Sequence, residues 1–301
     1  MTTDRLTRGA GTHGLLASAL AAAFLAACGG GGGGGGTTAA PAGPATVLNG
    51  VAVDGYLKGA TVFLDLNGNG LQDAGEPSSI TNDTGRYALN YSGVADSIAG
   101  KMIVVTGGID TDTGYAFGGR LTTRAEQAAS GQVVSPFTTL VDALVAQGLT
   151  IDAARSRLAA ALGLSGADLA TDPLAALANQ PAIYTQQVAL QRSIQLLATA
   201  NTGDGDSAYA AQQRIVDALA VAIKSGTGQV SVGGLVAQIN ATNTAAGRQL
   251  ADAVHDALEA ALKTPGGHQS AKAVLKAMDQ MRTRMENTHD YNLGTTASQL
   301  D

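Results

Sequence analysis

The apolar positions of this chain follow two different periods. Up to about residue 123 they alternate, or fall in short β-branched runs bounded by Gly, Asn, Asp and Pro. From Ser135 onward they recur every three to four residues. The first pattern predicts strands over 48–53, 61–66, 79–81, 86–91, 102–106 and 115–121, with Asn82-Asp83-Thr84-Gly85 as a hairpin turn. The second predicts an antiparallel helical bundle. Ser135-Pro136 supplies an N-cap and a first-turn proline, Thr150 caps a second helix that Gly163 ends, and Asp172-Pro173 opens another. Tyr184, Val188, Leu190, Ile194 and Leu197 line one face of a longer helix, and Ile215, Val216, Leu219 and Ile223 line the next. Leu250, Val254 and Leu258, then Val274, Met278, Met281 and Met285, mark two more, with Pro265-Gly266-Gly267 breaking the chain between them. The expected fold class is α+β as separate domains. A small antiparallel β-sandwich covers 47–123, a linker 124–134 and an α-helical domain 135–288, and 289–301 is a flexible tail.

The first residues obey neither period. Arg5 and Arg8 precede an apolar run over 14–27 that ends in Leu25-Ala26-Ala27-Cys28. The run is shorter than the roughly 20 residues a membrane span needs. A basic start, a short apolar stretch and small residues at its end predict a secretory signal over 1–27. Its ending resembles the lipobox of bacterial lipoproteins. That likeness implies that Cys28, the one cysteine of the chain, is acylated and binds the membrane, and Gly29 in place of Asp implies the outer membrane. The expected location is the cell envelope, facing the periplasm or the surface. Glycine fills 29–36 without interruption, and Thr, Ala, Gly and Pro carry the chain to residue 46. Such a segment over 28–46 is a flexible tether of about 20–25 Å r.m.s. length.

One stretch carries ion chemistry. Asp65-Leu66-Asn67-Gly68-Asn69-Gly70-Leu71-Gln72-Asp73-Ala74-Gly75-Glu76 fits D-x-[DN]-x-[DN]-G-x5-E at every specified position. Calcium takes six to eight oxygens, so a loop that wraps it must offer one at about every second residue. Asp65, Asn67 and Asn69 do so at loop positions one, three and five. Leu71 offers its backbone carbonyl at position seven, Asp73 binds at position nine directly or through water, and Glu76 closes the set with both oxygens. Gly70 sits at the sharp turn. Only Asp65, Asp73 and Glu76 bring charge, which predicts weak affinity, roughly 10⁻⁴ to 10⁻³ M. The flanks are not helical: 59–64 is strand-like, and Pro77 follows Glu76. A calcium loop between strands is expected, against a Gly/Asn-rich turn that binds nothing.

Together with Val53-Asp54-Gly55 and Gly59-Ala60-Thr61-Val62 ahead of it, and Thr81-Asn82-Asp83-Thr84-Gly85-Arg86-Tyr87-Ala88-Leu89 after it, the loop resembles the small β-sandwich modules of bacterial surface proteins. These are the SdrD B-type repeats and the carboxypeptidase regulatory-like, transthyretin-type domains, a Cna-B-like architecture. The resemblance covers about 47–123. It implies a calcium-stiffened spacer or adhesin-like module without enzymatic activity. The run 134–141 is similar to a joint that leads from such a module into a helical segment in bacterial lipoproteins.

Charge narrows the partners. The net charge is −6, loss of a leader with Arg5 and Arg8 makes it more negative, and no basic stripe appears. Nucleic acid is therefore excluded as a partner. Other chemistry is sparse. Asp110-Thr111-Asp112 reads as a polar hairpin loop or a second ion site. His255 beside Asp256 reads as a structural histidine. Met281, Met285 and His289 share a helix face that would suit Cu(I), or simply form a core stripe. No nucleophile motif is present. The expectation is a non-enzymatic, lipid-anchored envelope protein, a surface, adhesin-like or structural module whose helical domain docks a protein partner or simply extends the surface. The alternative is an envelope enzyme or small-molecule binder with its site in the helical domain.

Overall fold

The computed structural model describes residues 46–92, 94, 97–126, 130–202, 207–239 and 244–289. The leader over 1–27, Cys28, the tether as far as residue 45 and the tail beyond His289 lie outside the described residues. Strands come first: β1 (Val47–Ala52), β2 (Leu57–Lys58), β3 (Thr61–Asp65), β4 (Ser78–Ile80), β5 (Arg86–Asn90), β6 (Met102–Thr106), β7 (Ile109–Asp110), β8 (Arg120–Arg124) and β9 (Ser130–Val134). Helices follow: α1 (Pro136–Ala146), α2 (Ile151–Leu162), α3 (Pro173–Ala176), α4 (Pro181–Ala200), α5 (Ala208–Ser225), α6 (Val232–Val236), α7 (Thr244–Leu262) and α8 (Gly267–Thr288). The chain is α+β, with its sheets N-terminal to its helices.

Two sheets run β5-β1-β9 and β4-β3-β6-β8, and β2 pairs with β7 in a two-stranded ribbon. Alternation along each strand sends one set of side chains to a shared interior. Leu48, Tyr87 and Leu89 from the first sheet meet Val62, Leu64, Ile103, Val105 and Leu121 from the second in one apolar cluster. The register places Val62 opposite Val105 and Leu64 opposite Ile103.

Two expectations fail at the same place. The segment 124–134, expected as a linker, holds β9, which runs parallel to β1 with Val51 opposite Val133 and Ala52 opposite Val134. The sheets are therefore not wholly antiparallel. Gln132 ties β9 to the end of β8: its side chain donates to the Arg124 carbonyl at 3.0 Å and accepts from the Glu126 N–H at 3.2 Å. A five-residue strand with glycine and glutamine in its first half carries too little alternation to read as one. β8 also begins at Arg120 rather than at 115, because Gly118-Gly119 extends the preceding loop.

The boundary between β and helical regions is not a domain boundary. The described residues fall in one compact unit. β8 is a sheet edge, and α1 covers it. Thr122 N–H donates to Thr139 Oγ1 at 2.9 Å, Thr122 Oγ1 donates to Asp142 Oδ2 at 2.8 Å, and Arg124 pairs with Asp142. On the other sheet, Leu174 of α3 packs on Val51, Val53 and Val133, and the Tyr56 hydroxyl donates to Asp172 at 3.1 Å.

The expected helix signals act as signals. Ser135 and Thr138 form a reciprocal capping box, Thr150 and Asp172 accept from first-turn N–H groups, and Gly163 ends α2 in the left-handed conformation. α4 runs through the middle of the helical region and is buried from Ile183 to Ala198 over most of its surface. α6 was not expected, because Gly233 and Gly234 interrupt its apolar pattern. Among the described residues no helix is long and apolar enough to cross a membrane.

Candidate functional site

The loop 65–76 leaves the end of β3 and returns to β4. Asp65 ends β3 and is 1% exposed. Its two oxygens are used separately: Oδ1 accepts from Gly68 N–H at 2.6 Å and Oδ2 from Gly70 N–H at 2.7 Å. Glu76 braces the other end, accepting from Leu66 N–H at 2.8 Å and Asp73 N–H at 3.1 Å. Between them, the side-chain amides of Asn67 and Asn69 both donate to Asp73 Oδ2, at 2.8 and 2.7 Å. Loop positions three, five and nine thus meet at one oxygen. Leu71 is exposed, and its N–H donates to Asn69 Oδ1 at 2.7 Å. Lys101 Nζ donates to the Leu66 carbonyl at 2.7 Å and holds the loop to the start of β6.

The turn at Gly70 has a positive φ of 74°. A Cβ there would come within 2.7 Å of both terminal nitrogens of Arg120. Glycine is required twice over, by backbone conformation and by the guanidinium packed against it. Arg120 belongs to β8 and is 7% exposed. It also reaches α5, where its guanidinium donates to the Tyr209 hydroxyl and lies 4.6 Å from that ring's centre.

A second polar cluster lies between the β region and the helices. Arg192 of α4 pairs with Asp110 of β7 at 2.6 Å and with Asp279 of α8 at 3.1 Å, and all three are almost fully buried. Asp54, in the turn after β1, faces the same guanidinium and accepts from Gln195 Nε2 at 3.5 Å. Asp112 accepts from the Tyr184 hydroxyl at 2.9 Å and pairs with Lys272 at 3.1 Å and His268 at 3.3 Å. The Asp112 N–H donates to Asp110 Oδ1 at 2.7 Å, which couples the two halves.

Burial dominates the electrostatics of this cluster. It pushes Asp54 up to about 7, against the pull of Arg192 and with the help of Asp110, Asp279 and Asp112. It also raises Asp110, again against Arg192. Burial alone would lower Arg192, but Asp54, Asp279 and Asp110 outweigh it and hold the guanidinium firmly protonated. Tyr184 is raised by burial and then by Asp112, so it stays a donor.

No family model, curated protein or solved structure matches this chain. Its sites rest on their own geometry. Of the six expected loop residues, Asn67 and Asn69 meet Asp73 through their side chains, Asp65 and Glu76 bond to the loop backbone, and Leu71 is exposed. Among the described residues no three His, Cys, Asp or Glu side chains form a metal-holding group. In the loop, Asp65 and Glu76 are instead turned to backbone N–H groups, and Asp73 to amides. Asp110-Thr111-Asp112 lies in a hairpin turn, with the Asp110 N–H donating to the Tyr115 carbonyl at 3.0 Å, and its two aspartates are buried and anchor α4 and α8. His255 lies beside Asp256 on a half-exposed part of α7. Met281 and Met285 are core residues, and His289 ends α8 with φ 55°.

The Asp54–Arg192–Asp279 group escaped sequence reading, since its members lie more than fifty residues apart. A buried arginine in the middle of the apolar face of 184–197 was the one available signal. A cavity of about 250 Å³ opens beside it, lined by Gly118, Gln195, Thr199, Gln212 and Arg282 among others. Most of its polar groups are engaged, though Arg282 Nε has no hydrogen-bond partner among the described residues. Thr199 donates to the Gln195 carbonyl, Gln212 bonds both backbone groups of Arg120, and Arg282 pairs with Glu286.

Proposed function

We propose that this chain is a non-enzymatic, lipid-anchored envelope protein in which calcium stiffens a β-sandwich of the SdrD B-type or carboxypeptidase regulatory-like kind. In this reading it is an outer-membrane lipoprotein held through Cys28. It acts as a surface or structural interaction module, and its helical region meets a protein partner. The observation that carries the calcium assignment is the meeting of Asn67 and Asn69 at Asp73, with Asp65 and Glu76 bracing both ends. The donor set suits a hard cation: carboxylates, amide oxygens and the Leu71 carbonyl, with no nitrogen or sulfur ligand. Two amide N–H groups fill the place that a cation would take, while the amide oxygens of Asn67 and Asn69 accept from the Asn69 and Leu71 N–H groups, bonds that a cation would have to replace. Calcium supplies charge neutralisation and a rigid crossover from β3 to β4. The apolar cluster common to both sheets supports the sandwich. The alternative is a ligand site in the helical region, where a cavity of about 460 Å³ is lined by Arg157, Gln229 and Gln238 among others.

Thermal unfolding tests the reading, using a chain that starts at residue 28 with Cys28→Ser to prevent acylation. Stabilisation by a bound ion grows as RT ln(1 + [Ca]/Kd), about 1.4 kcal/mol at ten times Kd. Millimolar calcium should therefore raise the Tm by about 2–4 °C relative to EGTA. Asp65→Ala and Glu76→Ala should abolish that rise. A wild-type Tm indifferent to calcium overturns the assignment.

A further inference from the structure

We propose that Arg120 couples cation occupancy of the 65–76 loop to the first turn of α5, an inference that rests on the calcium reading above. Arg120 is a buried cation with an unusual set of neighbours. Among the described residues no carboxylate lies within ion-pair distance of it, and its Nε and Nη2 have no hydrogen-bond partner. Its charge is met by the Tyr209 ring and hydroxyl on one side and by the loop turn at Gly70 on the other.

The Gly70 backbone joins the two charges. Its N–H donates to Asp65 Oδ2, the first ligand position, and the Arg120 guanidinium packs where its side chain would be. A divalent cation held by Asp65 would therefore face a guanidinium across the width of one turn. The cation's charge would oppose the one that the buried Asp65 carboxylate presents to Arg120. While the loop is empty, its carboxylates favour Arg120. Calcium cancels two of the loop's three carboxylate charges, so most of that attraction is lost and the guanidinium shifts away from the loop turn.

Arg120 meets α5 through both side chain and backbone. The guanidinium holds Tyr209. The Arg120 N–H donates to Gln212 Oε1 at 3.2 Å, and Gln212 Nε2 donates to the Arg120 carbonyl at 3.2 Å. A displaced Arg120 must therefore disturb residues 209–212, the first turn of α5 after its Ser207 cap. Coupling is reciprocal, so a contact that calcium weakens is also a contact that weakens calcium binding. Arg120 thus lowers the loop's affinity and relays its occupancy to the helical region.

Titration calorimetry and hydrogen exchange on the full unlipidated chain test this with calcium as the probe. Arg120→Gln should bind calcium about three- to tenfold more tightly than wild type. In wild type, calcium should speed amide exchange over 207–213 several-fold, and Arg120→Gln should remove that response. Tyr209→Phe, a milder change on the helix surface, keeps the ring and should keep a reduced response. If wild type binds calcium and Arg120→Gln matches it in affinity and exchange, the coupling is overturned and the calcium loop stands. If wild type takes up no calcium, the calcium reading falls and the coupling with it.

Discussion

The loop 65–76 and the buried cluster around Arg192 are both built from aspartates held by hydrogen bonds, and they behave in opposite ways. Every loop ligand comes from one run of twelve residues, and Asn67, Asn69 and Asp73 face water. The cluster draws Asp54 and Asp110 from the β region and Arg192 and Asp279 from two helices, and all are buried. In the calcium reading, a loop whose outer residues are solvated can gain or lose a cation, with Arg120 relaying the change to α5. A buried long-range cluster has no such freedom, since removing one charge strands the others in a low dielectric. The lesson is that the same residue type serves an exchangeable site or a fixed joint according to burial and sequence range.

The sharpest way to break this comparison is to remove the cation at the centre of the joint. Arg192→Met leaves Asp110, Asp279 and Asp54 without their guanidinium and should cost about 3–5 kcal/mol of unfolding free energy. Urea denaturation in EGTA measures it. Asp73→Asn under the same conditions keeps the loop's shape and should change stability by less than about 1 kcal/mol. Similar losses from the two substitutions would show that the joint is not special.

The next effect is a pH dependence that belongs to the joint alone. The Asp54 carboxyl is raised by burial from 3.8 to about 7. Between those values the folded chain keeps a proton that the unfolded chain has released. Stability from this group is therefore greatest at acid pH and falls as pH rises through 7. Fully expressed, the displacement is worth roughly 4 kcal/mol. Asp54→Asn carries no titrating proton, so its stability relative to wild type should improve from pH 5 to about pH 7 and then level off. A difference that stays flat across that range would mean that Asp54 is ionised throughout, held by Arg192.

How much of each region could be read in advance follows from the same contrast. The turn over 65–76 was legible because Asp, Asn and Gly recur there at fixed spacing and Gly70 marks its sharpest point. The helix starts at Ser135, Thr150 and Asp172 were legible because capping is a contact between near neighbours. β9 was not, because five residues with Gly131 and Gln132 have no period to detect, and its parallel partner β1 lies some eighty residues earlier. Nor was the joint. Asp110 and Asp112 look like turn residues until α4 and α8 fold over them, and nothing local distinguishes a solvated aspartate from one that meets Arg192. The error of reading two separate domains came from the same source: the period changes at Ser135, but the packing does not stop there.

The smallest effects sharpen the comparison within the loop itself, at two adjacent positions. Gly70 holds φ at 74°, and a methyl group there would press on the Arg120 guanidinium. Gly70→Ala should cost about 1–2 kcal/mol from backbone strain alone and should displace Arg120 from Tyr209. Leu71 is 64% exposed. In the calcium reading it contributes only a backbone carbonyl, which any residue supplies. Leu71→Ser should therefore change stability by less than about 0.5 kcal/mol and leave the calcium-dependent rise in Tm intact. If Leu71→Ser instead abolished that rise, the leucine side chain would be organising the loop, and the spacing of oxygens along 65–76 would no longer be a sufficient account of it.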